Sequence, residues 1–165
     1  MSESPEEIEK KIKTWLVEEY FDSDIVLVPN SNVFFQIRIT NKKAGPAALP
    51  SYFTLTKNEP DKILVSFYWQ VHEMQIKSIN ALKEDARKTF KKKLAQGFLL
   101  MHLDFRPEPS MEDTQKIKVI DRIFLDGLTK HAIINSLTKI NCAHGYVLSL
   151  FDLIMDQGFD PYKEL

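Results

Sequence analysis

The sequence predicts an α+β fold, with one antiparallel sheet of about five or six strands and helices before, between and after them. Three observations carry this. Several short stretches alternate apolar and polar residues with a period of two, and they are joined mostly by brief turns. Longer flanking stretches repeat apolar residues with a period of 3.6. The composition is that of a cored domain: 44% hydrophobic and 27% charged, with eleven Phe, five Tyr and two Trp. Short connections between neighbouring strands favour an antiparallel meander over crossovers. The 165 residues suit a single domain spanning 1–165, a size that buries roughly 70% of the unfolded surface.

The first helix is bounded by its own chemistry. Ser4 is placed to cap it, Pro5 suits the first helical position, and Glu7 completes a Ser-x-x-Glu box. Ile8, Ile12, Trp15, Leu16 and Tyr20 then form one apolar face. Strands follow at 25–28, 33–40, 51–56 and 63–70. In the second, Phe35, Ile37 and Ile39 oppose Gln36, Arg38 and Thr40, and in the fourth Ile63, Val65, Phe67 and Trp69 share a face. Pro29 to Asn32 and Asn58 to Asp61 read as turns, and the Gly- and Pro-containing stretch 41–50 as a loop.

From Met74 to Gln96 the period is helical, with Ile79, Leu82, Ala86, Phe90 and Leu94 on one face and Gly97 where a C-terminal cap belongs. Two strands are expected at 98–105 and 117–125, separated by a long proline-broken connection, 106–113. A last helix runs from Thr129 to about Gln157. Its seam is Ile133, Leu137, Ile140, His144, Val147, Phe151 and Ile154, and Tyr146, Leu148, Leu150, Leu153 and Met155 add a second apolar face. A helix apolar on nearly all sides should be buried all round. The order is α-β-β-β-β-α-β-β-α.

Charge and cysteine usage exclude several function classes. The net charge of −1 gives no overall attraction to nucleic acid or a membrane surface. Cys142 is the single cysteine, so neither an internal disulfide nor a thiolate-rich zinc site forms within one chain. The acidic start Ser2 to Glu7 is unlike a signal peptide, and no apolar run approaches the ~18 residues of a membrane span. A cytoplasmic location is expected.

Candidate sites are few. Cys142 and His144 stand two apart, which on a helix points them to different sides and forbids a thiolate–imidazole pair. Cys142 reads as a small buried residue and His144 as core-edge. His72, His102, His131 and His144 show no metal-ligand spacing, and His102 reads as the wetter face of a strand. The five glycines are too dispersed for a phosphate-binding loop, so Asp126-Gly127 is a tight turn before the last helix. No catalytic residue, cofactor or metal is assigned. The concentrated charge feature is Arg87, Lys88, Lys91, Lys92 and Lys93, with Glu84 placed to pair with Lys88. It reads first as a solvated helix face and second as a patch for an acidic partner or nucleic acid.

The stretches Ile12 to Phe21, Leu82 to Phe90 and Asp126 to Lys130, in that order, resemble an uncharacterised archaeal protein family. That family's element order is similar to class I type III secretion chaperones. The resemblance implies a curved sheet with helices on one side and a protein that commonly dimerises. It supplies no catalytic residues. The expectation is therefore a non-enzymatic, chaperone-like interaction module, homodimeric and binding a protein client, with Tyr146, Leu150 and Leu153 as interface residues. Nucleic-acid binding through the basic helix is the second reading. An enzyme whose site assembles from dispersed residues, such as His102 with carboxylates near the proline-rich loop, is the third.

Overall fold

A computed structural model describes residues 3–19, 23–41, 49–111 and 113–157. Its elements are α1 (Pro5–Glu19), β1 (Ser23–Leu27), β2 (Val33–Asn41), β3 (Ser51–Thr56), β4 (Lys62–Gln70), α2 (Glu73–Ala81), α3 (Glu84–Leu100), β5 (Asp104–Pro109), β6 (Thr114–Phe124) and α4 (Lys130–Gln157). A single 3-10 turn, Leu125–Gly127, joins β6 to α4. Among the described residues the sheet has six strands in the order β1-β2-β3-β4-β6-β5. The α+β class and the element order expected from the periodicity are both present.

Two compact units divide the chain, Met1–Tyr68 with Ile120–Ile140, and Trp69–Val119 with Asn141–Leu165. In the first, the α1 capping box forms as its residues require: the Glu7 N–H donates to Ser4 Oγ (3.3 Å) and the Ser4 N–H to Glu7 Oε2 (2.7 Å). Ile8, Ile12 and Leu16 are buried, and α1 packs on β1 and β2. Fully burying a side chain such as Ile12 is worth about 1.5–3 kcal/mol relative to exposing it. The meander is antiparallel, with Ile25 opposite Ile39, Ile37 opposite Phe53 and Phe53 opposite Val65. Thr129 caps α4 by accepting from the Ala132 N–H at 3.1 Å. Asp121, nearly buried, accepts from Lys139 Nζ at 3.2 Å and from the Arg122 N–H at 3.0 Å.

The second unit departs from expectation in four places. The helix expected over 74–96 is two helices, because Leu82 and Lys83 are extended (ψ 144° and 152°). Ser78, Ile79 and Asn80 are weak helix formers at the end of α2, and Glu84-Asp85 opens a new first turn where acids are favoured. Gly97 is not a cap. It lies buried inside α3, which continues to Leu100. The run Phe98 to Met101 is therefore helix and turn, and the strand expected at 98–105 begins only at Asp104. A short apolar run does not distinguish helix from strand by period. Finally, the proline-broken connection is largely β5 itself. Pro107 and Pro109 are accommodated because β5 is an edge strand.

Tyr20, residues 42–48 of the expected loop, Glu112, the side chain of Met155 and residues 158–165 lie outside what is described. Among the described residues, no helix is long and apolar enough to cross a membrane.

Candidate functional site: an apolar cleft beneath the second helix

The site lies wholly within the second unit and grows from α2. Its start is fixed by His72, whose Nδ1 accepts from the Met74 N–H at 3.3 Å, while Gln75 Oε1 accepts from the His72 N–H at 2.9 Å. That cap accounts for His72 as a structural residue. Yet α2 fully buries none of its side chains, and Ile76 and Ile79 are half-buried. Its apolar residues Ile76 and Ile79, three apart and so on one face, line a cleft instead.

The opposite wall comes from α3 and α4. Phe90, Leu94 and Phe151 line the cleft with Val71 at the end of β4 and Ile117 of β6. Phe90 and Phe151 meet edge to face with centroids 5.5 Å apart, and Trp69 stacks on Phe151 at 6.0 Å. Such pairs add about 0.5–1.5 kcal/mol beyond burial and hold the wall rigid. The cleft is narrow as it stands, about 30 Å³, room for about two water molecules. Asn80, Lys91, Asp113 and Thr114 contribute the polar lining, so charges of both signs and neutral hydrogen-bonding groups ring an apolar floor.

Beside this wall, His144 lies half-buried against Trp69, with ring centroids 5.4 Å apart. Burial pushes its imidazole below the usual range. The indole Nε1 of Trp69 is buried without a hydrogen-bond partner. Tyr146, whose hydroxyl burial pushes up, donates to the Lys93 carbonyl and lies edge-on to Phe98. A side chain at Gly97 would overlap the Tyr146 ring, which is why glycine occupies that buried helical position.

The residues singled out from sequence distribute unevenly. Of the three interface candidates, Leu150 is buried in its own chain, Tyr146 is half-buried against α3, and Leu153 is 41% exposed. They therefore form no continuous open face. The second apolar face of α4 is not buried all round, since Leu148 as well as Leu153 meets solvent. In the basic cluster, Lys88 pairs with Glu84 at 2.6 Å, Lys91 lines the cleft, Arg87 and Lys93 are half-buried, and Lys92 is exposed. Cys142 is exposed rather than buried, because the helical rotation that buries Ile140 and Ala143 turns position 142 outward. His102 lies in the turn after α3 with φ of 55°, not in a strand. His131 is exposed in the first turn of α4. Among the described residues, no group of three His, Cys, Asp or Glu side chains is placed to hold a metal ion.

Sequence reasoning missed the cleft. Val71, Ile76, Met111 and Thr114 drew no attention because each is ordinary in its own segment. No local signal marks it, because the sequence reads as one continuous helix from Met74 to Gln96.

Residues 8–151 match the model of a family described as Uncharacterized conserved protein (DUF2299). The chain belongs to this family. A solved structure of an uncharacterized protein from Methanothermobacter thermautotrophicus is similar, with a TM-score of 0.76 at 24% identity. The match covers 88% of this chain and 96% of that one, and at such identity it speaks for the fold alone. No curated protein matches the chain. These findings carry the family and the fold, and they say nothing of secretion chaperones.

Proposed function

We propose that this member of the family is a non-catalytic interaction module of the cytoplasm that holds an apolar segment of a client protein in the cleft beneath α2. The observation that supports this is a helix with no fully buried side chain, whose half-buried Ile76 and Ile79 line that cleft. A helix so placed gains its stability from whatever fills the space below it. The occupant is a protein segment rather than a purely apolar ligand. Lys91, Asp113, Asn80 and Thr114 offer both charge signs plus amide and hydroxyl groups, which suits the polar flanks of an amphipathic helix. The basic side chains of α3 favour nucleic acid less, because Lys88 is engaged by Glu84 and Lys91 belongs to the cleft wall. A chaperone-like role, the one implied by the resemblance to secretion chaperones, is consistent with holding an apolar segment without altering it.

Trp69 supplies the readout, since it stacks on Phe151 of the cleft wall. In a Trp15→Phe background, a panel of amphipathic helical peptides should include members that shift Trp69 emission saturably. Ile79→Asp should abolish the shift while far-ultraviolet circular dichroism stays unchanged. A panel without any saturable response, or undiminished binding by I79D, refutes the cleft as a client site.

A further inference from the structure

We infer that the free edge of β1 is a self-association surface, where a second copy of the chain adds its own β1 antiparallel and continues the sheet. This goes beyond the client cleft and is independent of it, because β1 belongs to the other unit.

Parity along the strand identifies the groups on offer. The Val28 N–H donates to the Gln36 carbonyl at 2.7 Å, and the register sets Val26 opposite Arg38 and Asp24 opposite Thr40. In an antiparallel ladder, alternate residues bond to one neighbour. Residues 24, 26 and 28 therefore bond inward to β2, while Ser23, Ile25 and Leu27 turn their N–H and C=O groups outward. No strand among the described residues lies on that side of β1. The two sheet edges also differ in chemistry. Pro107 and Pro109 blunt β5 by removing two donors. The short Ser-Asp-Ile-Val-Leu strand has no proline, no lysine and no bulge, and Asp24 is the charge it carries against edge pairing. Val26 and Leu27 are 37% and 43% exposed along it.

Charge selects the occupant and the register. Centring the two-fold on Ile25 pairs Ile25 with the partner's Ile25 and Ser23 with the partner's Leu27, which gives about six inter-strand hydrogen bonds. Shifting the centre to Asp24 sets two carboxylates directly opposite each other, and shifting it to Val26 brings Pro29, which has no N–H, into the ladder. In the Ile25-centred register each Asp24 faces the partner's Val26, with Arg38 next in the same row. Arg38 is underused in its own chain: its contact with Asp24 is long, 3.9 Å, and its Nε is buried without a hydrogen-bond partner. Its guanidinium then lies in reach of the partner's Asp24, and the two-fold repeats the arrangement.

Sedimentation equilibrium on the full chain tests this. A strand of five residues makes a small interface, so a dissociation constant on the order of tens of micromolar is expected. Val26→Asp sets like charges opposite each other and should weaken the dimer about fivefold or more, whereas Val26→Lys meets the partner's Asp24 and should tighten it about two- to fivefold. Ile25→Pro removes an outward N–H without touching the β1–β2 ladder and should abolish dimerisation, with the fold monitored by circular dichroism. A monomer up to about 500 µM, well above micromolar affinities, overturns the inference. So does a dimer indifferent to I25P and V26D, or one weakened by V26K. Peptide binding at the cleft is read separately, so either proposal can fail alone.

Discussion

Replacing Gly97 by alanine should reverse its usual sign in this protein. In an exposed helix interior, Gly→Ala gains about 1 kcal/mol from backbone entropy and propensity. Here the new methyl group would fall on the Tyr146 ring, so the ring must swing out. Displacement forfeits the hydroxyl bond to the Lys93 carbonyl, about 1 kcal/mol. It also loses the edge-on contact with Phe98 at 6.2 Å, about 0.5–1.5 kcal/mol. Part of the ring's burial is lost as well, on the order of another 1 kcal/mol. Against the propensity gain, the net loss is roughly 1.5–2.5 kcal/mol, a fall in Tm of about 3–10 °C for a chain of this size. The decisive comparison is a double-mutant cycle read by thermal and urea unfolding. In a Tyr146→Ala background the obstruction is gone, and Gly97→Ala should stabilise by about 1 kcal/mol, giving a coupling of about 2.5–3.5 kcal/mol. If G97A stabilises equally in both backgrounds, the close approach of α3 and Tyr146 is not what dictates glycine there.

Lys139→Met should destabilise by about 1–3 kcal/mol in urea unfolding, because it strands a nearly buried Asp121 carboxylate, and the additional Asp121→Asn exchange should recover part of the loss. Ser4→Ala removes the side-chain half of the α1 capping box and should cost about 1 kcal/mol, visible as a lower urea midpoint with an unchanged slope. His144 makes stability depend on pH. Its folded-state pKa is lowered by burial, so the unfolded chain takes up the proton first. The stability contributed by keeping it neutral is full above about pH 6.5 and is lost as pH falls from there toward the lowered folded value. The Tm difference between wild type and His144→Asn should therefore shrink or invert on going from about pH 7.5 to 5.5. A constant difference would refute the assignment.

Much of the fold was legible because its signals are local. The α1 cap needs only Ser4 and Glu7, three residues apart, and it forms as expected. The faces of β2 and β4 follow from alternation alone, and Phe35, Ile37, Ile63, Val65 and Phe67 are buried accordingly. The α4 seam from Ile133 to Ile154 is likewise written in its repeat. Membership of an uncharacterised family was legible too, from short motifs in order.

The candidate site was not legible, and the reason is distance along the chain. Gly97 read as a helix end because glycine usually marks one. Its role depends on Tyr146, forty-nine positions away, a residue that local patterning cannot associate with it. The break at Leu82 and Lys83 interrupts a period that looks continuous from Ile79 to Leu94. The cleft draws on α2, α3, α4 and the ends of β4 and β6, each adding one to three unexceptional side chains. Nor does any stretch announce that it will be an edge. β1 looks like any short apolar strand until the strand order leaves one side of it without a partner strand among the described residues. Caps and alternating faces are settled by neighbours within a turn or a strand. Close approaches, clefts and open edges arise from long-range pairing, whose partners periodicity cannot name.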